Sequence, residues 1–302
     1  GGDKHRVSNC LSNIANTLYY LGDWERAHAA FRESIAIDRE IGKRAGLAYG
    51  LSDLGTLYCH QGDYSAGLAV LEEAGVIFEE IGDESGSAYG ELALGRGYYL
   101  DVGPEQEAER LLRRALPVLR AGESHEQEAE ALLTLGRLHL QRGETERARR
   151  NLEQARALCQ EHNLYWQWPE ATLRLAELAL AQGDAANARE LAGQTLEGIA
   201  HGGCPDFGGA AHLVLAQLAD QSLRHYASAV DSARQRSRRI DLARTLVQAG
   251  RYLRERAEAE MRAQGRAYLV EAQAIVEGMG LPPDAQSDQD PGELSGATPA
   301  SS

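Results

Sequence analysis

Across residues 43–82 the apolar positions recur at steps of three and four. Ala48, Leu51, Leu54, Gly55 and Tyr58 share one face of a first helix, and Tyr64, Gly67, Leu71, Ala74 and Phe78 share one face of a second. Gly62 interrupts the pattern between them, a residue that tolerates the left-handed conformation at a helix end. Asp63 comes next, where a carboxylate suits a helix N-terminus. Gly82 and Asp83 repeat this punctuation. The unit predicted is a helical hairpin of about 40 residues.

The same turn returns along the chain as Gly22-Asp23, Gly62-Asp63, Gly103-Pro104, Gly143-Glu144 and Gly183-Asp184, in steps of 40, 41, 40 and 40 residues. A fixed period of this size marks one supersecondary unit copied several times. The predicted hairpins are 4–42, 43–82, 83–122, 123–163, 164–203, 204–240 and 241–280, the last with a long connection from Arg254 to Arg262. Residues 281–302 are rich in Pro, Gly, Ser and Asp and read as a disordered acidic tail. The first helices carry Leu54-Gly55, Leu94-Gly95 and Leu135-Gly136, with Ile14-Ala15, Leu175-Ala176 and Leu215-Ala216 in the same slot. Glycine inside a helix costs about 1 kcal/mol relative to alanine, so its regular placement predicts close helix–helix approach. Pro117 is expected to kink or end its helix near Arg113–Leu116. The turn at Val102-Gly103-Pro104 holds one extra residue, with Pro104 suited to a first helical position.

These positions resemble the tetratricopeptide repeat: Leu54, Gly55, Tyr58, Tyr64, Gly67, Leu71 and Ala74 occupy its slots in the second unit, and Ile14, Ala15, Leu18, Trp24, Ala27, Phe31 and Ser34 in the first. The resemblance spans about residues 4–280, with the sixth and seventh units degenerate. It implies an all-α superhelical solenoid of about seven helical hairpins. The step exceeds the family's usual length of about 34 residues by about six. The stretches Glu40-Ile41-Gly42 and Glu80-Ile81-Gly82-Asp83, each succeeded by Gly and Ala, are similar to long-period arrays in bacterial signalling ATPases of the STAND type and in transcription regulators. That likeness implies a sensor or regulatory arm acting on an effector domain.

Composition narrows the function. The chain of 302 residues is 43% apolar and 25% charged, with a net charge of −14, which argues against general nucleic-acid affinity. Residues 221–270 are the exception, holding eleven Arg against five acids, and could serve an acidic partner or self-association. No apolar run of membrane-spanning length occurs, and residues 1–30 do not read as a secretory leader. The Gly1-Gly2 start without methionine reads as an expression remnant or an excised fragment. Cys10, Cys59, Cys159 and Cys204 match no metal or redox spacing, which favours reduced thiols in a cytoplasmic protein. No phosphate-binding loop, His-Glu-x-x-His or nucleophile–base pairing is present, so no cofactor, metal or enzymatic activity is expected.

A binding surface is the remaining expectation. In the resembling family the first helices line a concave groove. Counted from the Leu-Gly slot, its candidates here are Asn9, Asn13, Asn16 and Tyr20 in the first unit, Tyr49, Asp53 and His60 in the second, Tyr89, Arg96 and Tyr99 in the third, and Arg137 in the fourth. The three asparagines share a face and offer both donor and acceptor to a peptide backbone; as helix-end or solvent-facing residues they would do nothing of the kind. The tyrosines are either amphipathic anchors or inter-repeat packing. Trp166 and Trp168 pack across the fourth and fifth units, or form a ligand-facing wall. The partner expected is a peptide segment or protein, including an intramolecular effector domain. The alternative is a spacer or self-association arm with no groove ligand.

Overall fold

The fold is described from a computed structural model over residues 2–201, 207–218, 222–236, 239–256 and 258–279. All regular elements among these residues are helical. Hairpin one is α1 (Gly2–Tyr20) with α2 (Trp24–Ile41), hairpin two α3 (Arg44–His60) with α4 (Tyr64–Ile81), and hairpin three α5 (Glu84–Leu94) with α6 (Glu105–Ala121). Then come α7 (His125–Gln141) with α8 (Thr145–Glu161), α9 (Trp168–Ala181) with α10 (Ala185–Ala200), α11 (Gly208–Leu218) with α12 (Ser222–Arg236), and α13 (Arg239–Arg254) with α14 (Ala259–Glu277). The expected disordered tail, Cys204 and part of the basic segment lie outside the described residues.

Turn chemistry agrees with the sequence. Gly22, Gly62, Gly143 and Gly183 close the first helices with φ of 69–83°, a region where a side chain is strained. Asp23, Asp63 and Asp184 then accept from the backbone N–H of Arg26, Ala66 and Asn187, and Asp83 caps α5 through Gly86 in the same way. Each cap satisfies a donor that helix geometry leaves open.

The Leu-Gly slot is a point of close approach. A Cβ on Gly136 would lie 2.4 Å from Cδ2 of Leu152, and one on Gly55 would lie 2.6 Å from Cγ of Leu71. Gly136→Ala is therefore expected to lower stability even though alanine favours helix. Overpacking costs about 1–3 kcal/mol against a propensity gain of about 1 kcal/mol. Urea denaturation checks this, and a stabilised variant would refute the close-approach reading.

Two local expectations change. α6 does not end before Pro117 but runs through it to Ala121. Leu112, Ala115 and Leu119 are buried on either side of the proline, and their packing outweighs the one backbone hydrogen bond that proline removes. The extra residue of the third unit is taken up upstream, where Gly95–Tyr99 form a π-helical turn between α5 and Leu100. A π turn holds more residues than an α turn and rotates the residues beyond it about the helix axis.

First helices pack against first helices from each hairpin to the next, and second helices have no comparable mutual contact. The array therefore curves with its first helices inside. The curvature brings the C-terminal end of the solenoid back to its second hairpin. Met279, after α14, is buried with Ile240, Tyr64 and Val102, and its side chain lies against Gly62.

Candidate functional site

The inner wall gathers side chains from four hairpins into one cleft. Asn16, Tyr19 and Tyr20 come from α1, Asp53 and Thr56 from α3, Tyr89 from α5, Arg96 from the π turn and Glu130 from α7; together they line a narrow cleft. A second, adjoining cleft adds His60, Arg137, Trp166, Gln167, Glu170, Phe207 and Asp241.

Asp53 is the hub of the first cleft. The Tyr89 hydroxyl donates to its carboxylate, as does the Asn16 amide at 3.3 Å, so one carboxylate joins three hairpins. Burial raises its pKa to about 6; the two hydrogen bonds oppose the shift, and nearby Glu130 and Glu126 add to it. A carboxyl that holds its proton more tightly folded than unfolded stabilises the fold most at low pH. Its contribution falls as pH rises from about 4, the ordinary carboxyl value, towards 6, and is constant above. Asp53→Asn should remove that part of the pH dependence, raising stability at pH 7.5 relative to wild type more than at pH 4. Denaturation at the two pH values measures it; an unchanged pH profile would contradict the assignment.

Tyr20 spans the groove. Its ring stacks on Trp166 with centroids 5.4 Å apart, and its hydroxyl lies 3.1 Å from Glu126 and 3.4 Å from Glu130 as donor. Burial and these two glutamates hold its pKa well above the usual phenol range. Gln167 donates to the same Glu126 at 2.9 Å. Arg96 pairs with Glu130 at 2.6 Å and approaches Glu170 at 3.9 Å. Burial works against its charge, but Glu130 and its other neighbours more than compensate and raise its pKa. Glu170 also lies 3.8 Å from Arg174, which pairs with Glu177 at 2.9 Å. Arg137 is ion-paired to the buried Asp101, with Arg244 3.9 Å away. Within the two clefts the carboxylates of Asp53, Glu130, Glu170 and Asp241 outnumber the guanidiniums of Arg96 and Arg137, leaving an acidic lining.

Of the expected groove residues, Asn16, Tyr20, Asp53, His60, Tyr89, Arg96 and Arg137 come together on this wall. His60 is buried, with the Tyr19 hydroxyl 3.0 Å from Nδ1. Tyr49 stands beside the wall, 36% exposed, its ring against Phe78 and Tyr89. Asn9 is exposed and accepts from Lys43 at 2.6 Å, and Asn13 is exposed on α1; neither lines a cleft. Tyr99 is also set apart: it lies beside Tyr98, with Glu107 and Glu72 as charged neighbours, because the π turn rotates it off the face that carries Arg96. The two tryptophans divide. Trp166 faces the cleft, while Trp168 packs on Gly198 of α10. Sequence reasoning missed Glu126, Gln167, Glu170 and Asp241, which meet the others only through the curvature of the array.

No group of three or more His, Cys, Asp or Glu among the described residues could hold a metal ion. Buried Cys159 has its thiol pKa pushed up to about 12 by burial and by Glu170 and Glu130, the reverse of a reactive thiol. No described helix is long and apolar enough to cross a membrane.

Comparisons with known proteins agree with the fold. Residues 7–41 and 92–161 each match a family model described as tetratricopeptide repeat. No curated protein matches the sequence. Among solved structures, a Rap protein complexed with Competence and Sporulation Factor superposes with a TM-score of 0.75 at 16% identity, covering 89% of this chain and 74% of that one. BtubC (BKLC) from P. vanneervenii gives a TM-score of 0.47 at 17% identity, over 86% of this chain and 94% of that one. At these identities the likeness is one of fold alone. The periodic hairpins, the capped turns and the two matched segments show an all-α solenoid that carries tetratricopeptide repeats over residues 7–41 and 92–161.

Proposed function

We propose that the chain is a non-catalytic binding module whose inner groove takes an extended peptide segment carrying positive charge. The observation that carries this reading is the acidic, aromatic inner wall, where Tyr20, Trp166, Asp53 and Arg96 converge from separate hairpins. Aromatic rings offer rigid amphipathic contact area, and a surplus of carboxylates favours a cationic partner. The Rap protein, solved in complex with Competence and Sporulation Factor, supports a bound partner by analogy of fold. In this reading the module is a cytoplasmic sensor arm of a larger bacterial signalling or transcription regulator, acting on an effector domain of the same polypeptide, and the basic C-terminal repeats serve self-association.

Selection from a displayed random-peptide library tests the groove. Enriched sequences should be rich in Lys or Arg, and their affinity should fall by about tenfold or more with Tyr20→Ala or Trp166→Ala, the size expected of a central aromatic contact. Arg149→Ala, on α8, should leave binding unchanged. Peptides that bind all variants equally would remove the groove from consideration. The second reading, a spacer without a groove ligand, is favoured by the way Tyr20, Glu126 and Gln167 already satisfy one another. It predicts no enrichment at all.

A further inference from the structure

Helix α1 carries the stacking pattern of the later first helices, yet it is uncovered among the described residues. In α3 the buried set is Gly50, Leu51 and Leu54, with Gly50 facing Ile35 of α2. In α7 the same register holds Ala131, Leu132 and Leu135, each no more than 3% exposed. Forty residues before the α3 set stand Cys10, Leu11 and Ile14. Cys10 is exposed, and Ile14 is 51% exposed where Leu54 is 5%. Val7, two turns before Ile14, is 45% exposed. A repeat that ends a solenoid ordinarily presents a polar outer face, whereas this face has the composition of an internal joint.

We propose that this face of α1 receives the second helix of a further helical hairpin of the same repeat type, continuing the array on its N-terminal side. The occupant is dictated by the joints already present, where each first helix lies over the second helix of the hairpin before it. α2 supplies Ile35 against Gly50, and α4 supplies Phe78 against Gly90; Cys10 is the small residue of the uncovered joint. Asp3 stands eighty residues before Asp83, the residue that caps α5 at the joint between hairpins two and three. A second copy docked through α1 would lay α1 on α1, whereas the main contact at each joint of this array sets a first helix over a second helix. The chain's own α14 end is engaged elsewhere, since Met279 is buried against Gly62 and Tyr64.

The test joins a copy of residues 44–82 carrying Cys59→Ser directly ahead of Asp3 in the full chain carrying Cys204→Ser, and tracks helix content and the labelling of Cys10 by a maleimide. The added hairpin should fold, raising helix content, and should slow Cys10 labelling by about tenfold or more, the protection given by a modestly stable covering element. Ile14→Glu in the fused protein should restore fast labelling. Unchanged labelling, or no gain of helix, would overturn the proposal. The unfused chain should sediment as a species unaffected by Ile14→Glu; a dimer dispersed by that substitution would assign the face to a second copy and overturn it equally.

Discussion

Phe78→Ala is expected to cost about 3–5 kcal/mol, the range for removing a fully buried aromatic ring. Phe78 has no exposed surface. Its ring fills the space beside Gly86 and Gly90 of α5 and meets the Tyr49 ring edge-on at 4.9 Å. The substitution therefore opens a cavity at the joint between hairpins two and three, and the glycines on the far side have no side chain to fill it. In a stacked array such a loss weakens coupling between neighbouring units as well as the unit itself. Urea denaturation should show a lower midpoint and a broadened or split transition. A loss below about 1 kcal/mol would mean that the joint collapses around the cavity and that the ring is not its keystone.

Arg137→Ala should have an effect of similar size for a different reason. Arg137 and Asp101 are both buried, with side chains 9% and 1% exposed. Removing one partner of a buried ion pair strands the other charge, a loss of about 3–5 kcal/mol. Arg244 stands 3.9 Å from Asp101 but also pairs with Asp241 at 3.3 Å, so it replaces only part of what is lost. Removing both charges with apolar residues of similar volume is often neutral. The double variant Arg137→Met with Asp101→Leu should accordingly recover most of the stability lost by Arg137→Ala. Equal stabilities for wild type and Arg137→Ala would show that the pair is solvated and contributes little.

The parts of the fold legible in the sequence were those set by local rules. Gly62 with Asp63 after it announces a turn because one residue tolerates positive φ and the other caps a helix, and the structure uses them so. Gly136 implied close approach, and Leu152 fills the space. The features that the sequence did not disclose depend on geometry accumulated over several hairpins. Nothing near Tyr20 signals that its ring will reach Trp166, because the meeting depends on the curvature of the array between them. The π turn at Gly95–Tyr99 was equally hidden: the extra residue was countable, but its place was decided by packing upstream of the turn where it was counted. Pro117 misled for the converse reason, as a local penalty lost to the burial of Leu112, Ala115 and Leu119.

The contacts that tie distant hairpins together set the order in which this chain can fold. Each hairpin is local and can form early. The bond from Tyr20 to Glu126 joins residues 106 apart in sequence, and Met279 reaches back to Gly62 across most of the chain. Contacts so remote carry a loop-closure cost that must be met before they stabilise anything, and they are slow to form. Ordinary solenoids, whose units touch only their neighbours, lack such a step. Here the C-terminal end of the array and its second hairpin acquire an interest in each other, and deleting α13 and α14 should loosen α3 and α4 before it disturbs α7 and α8.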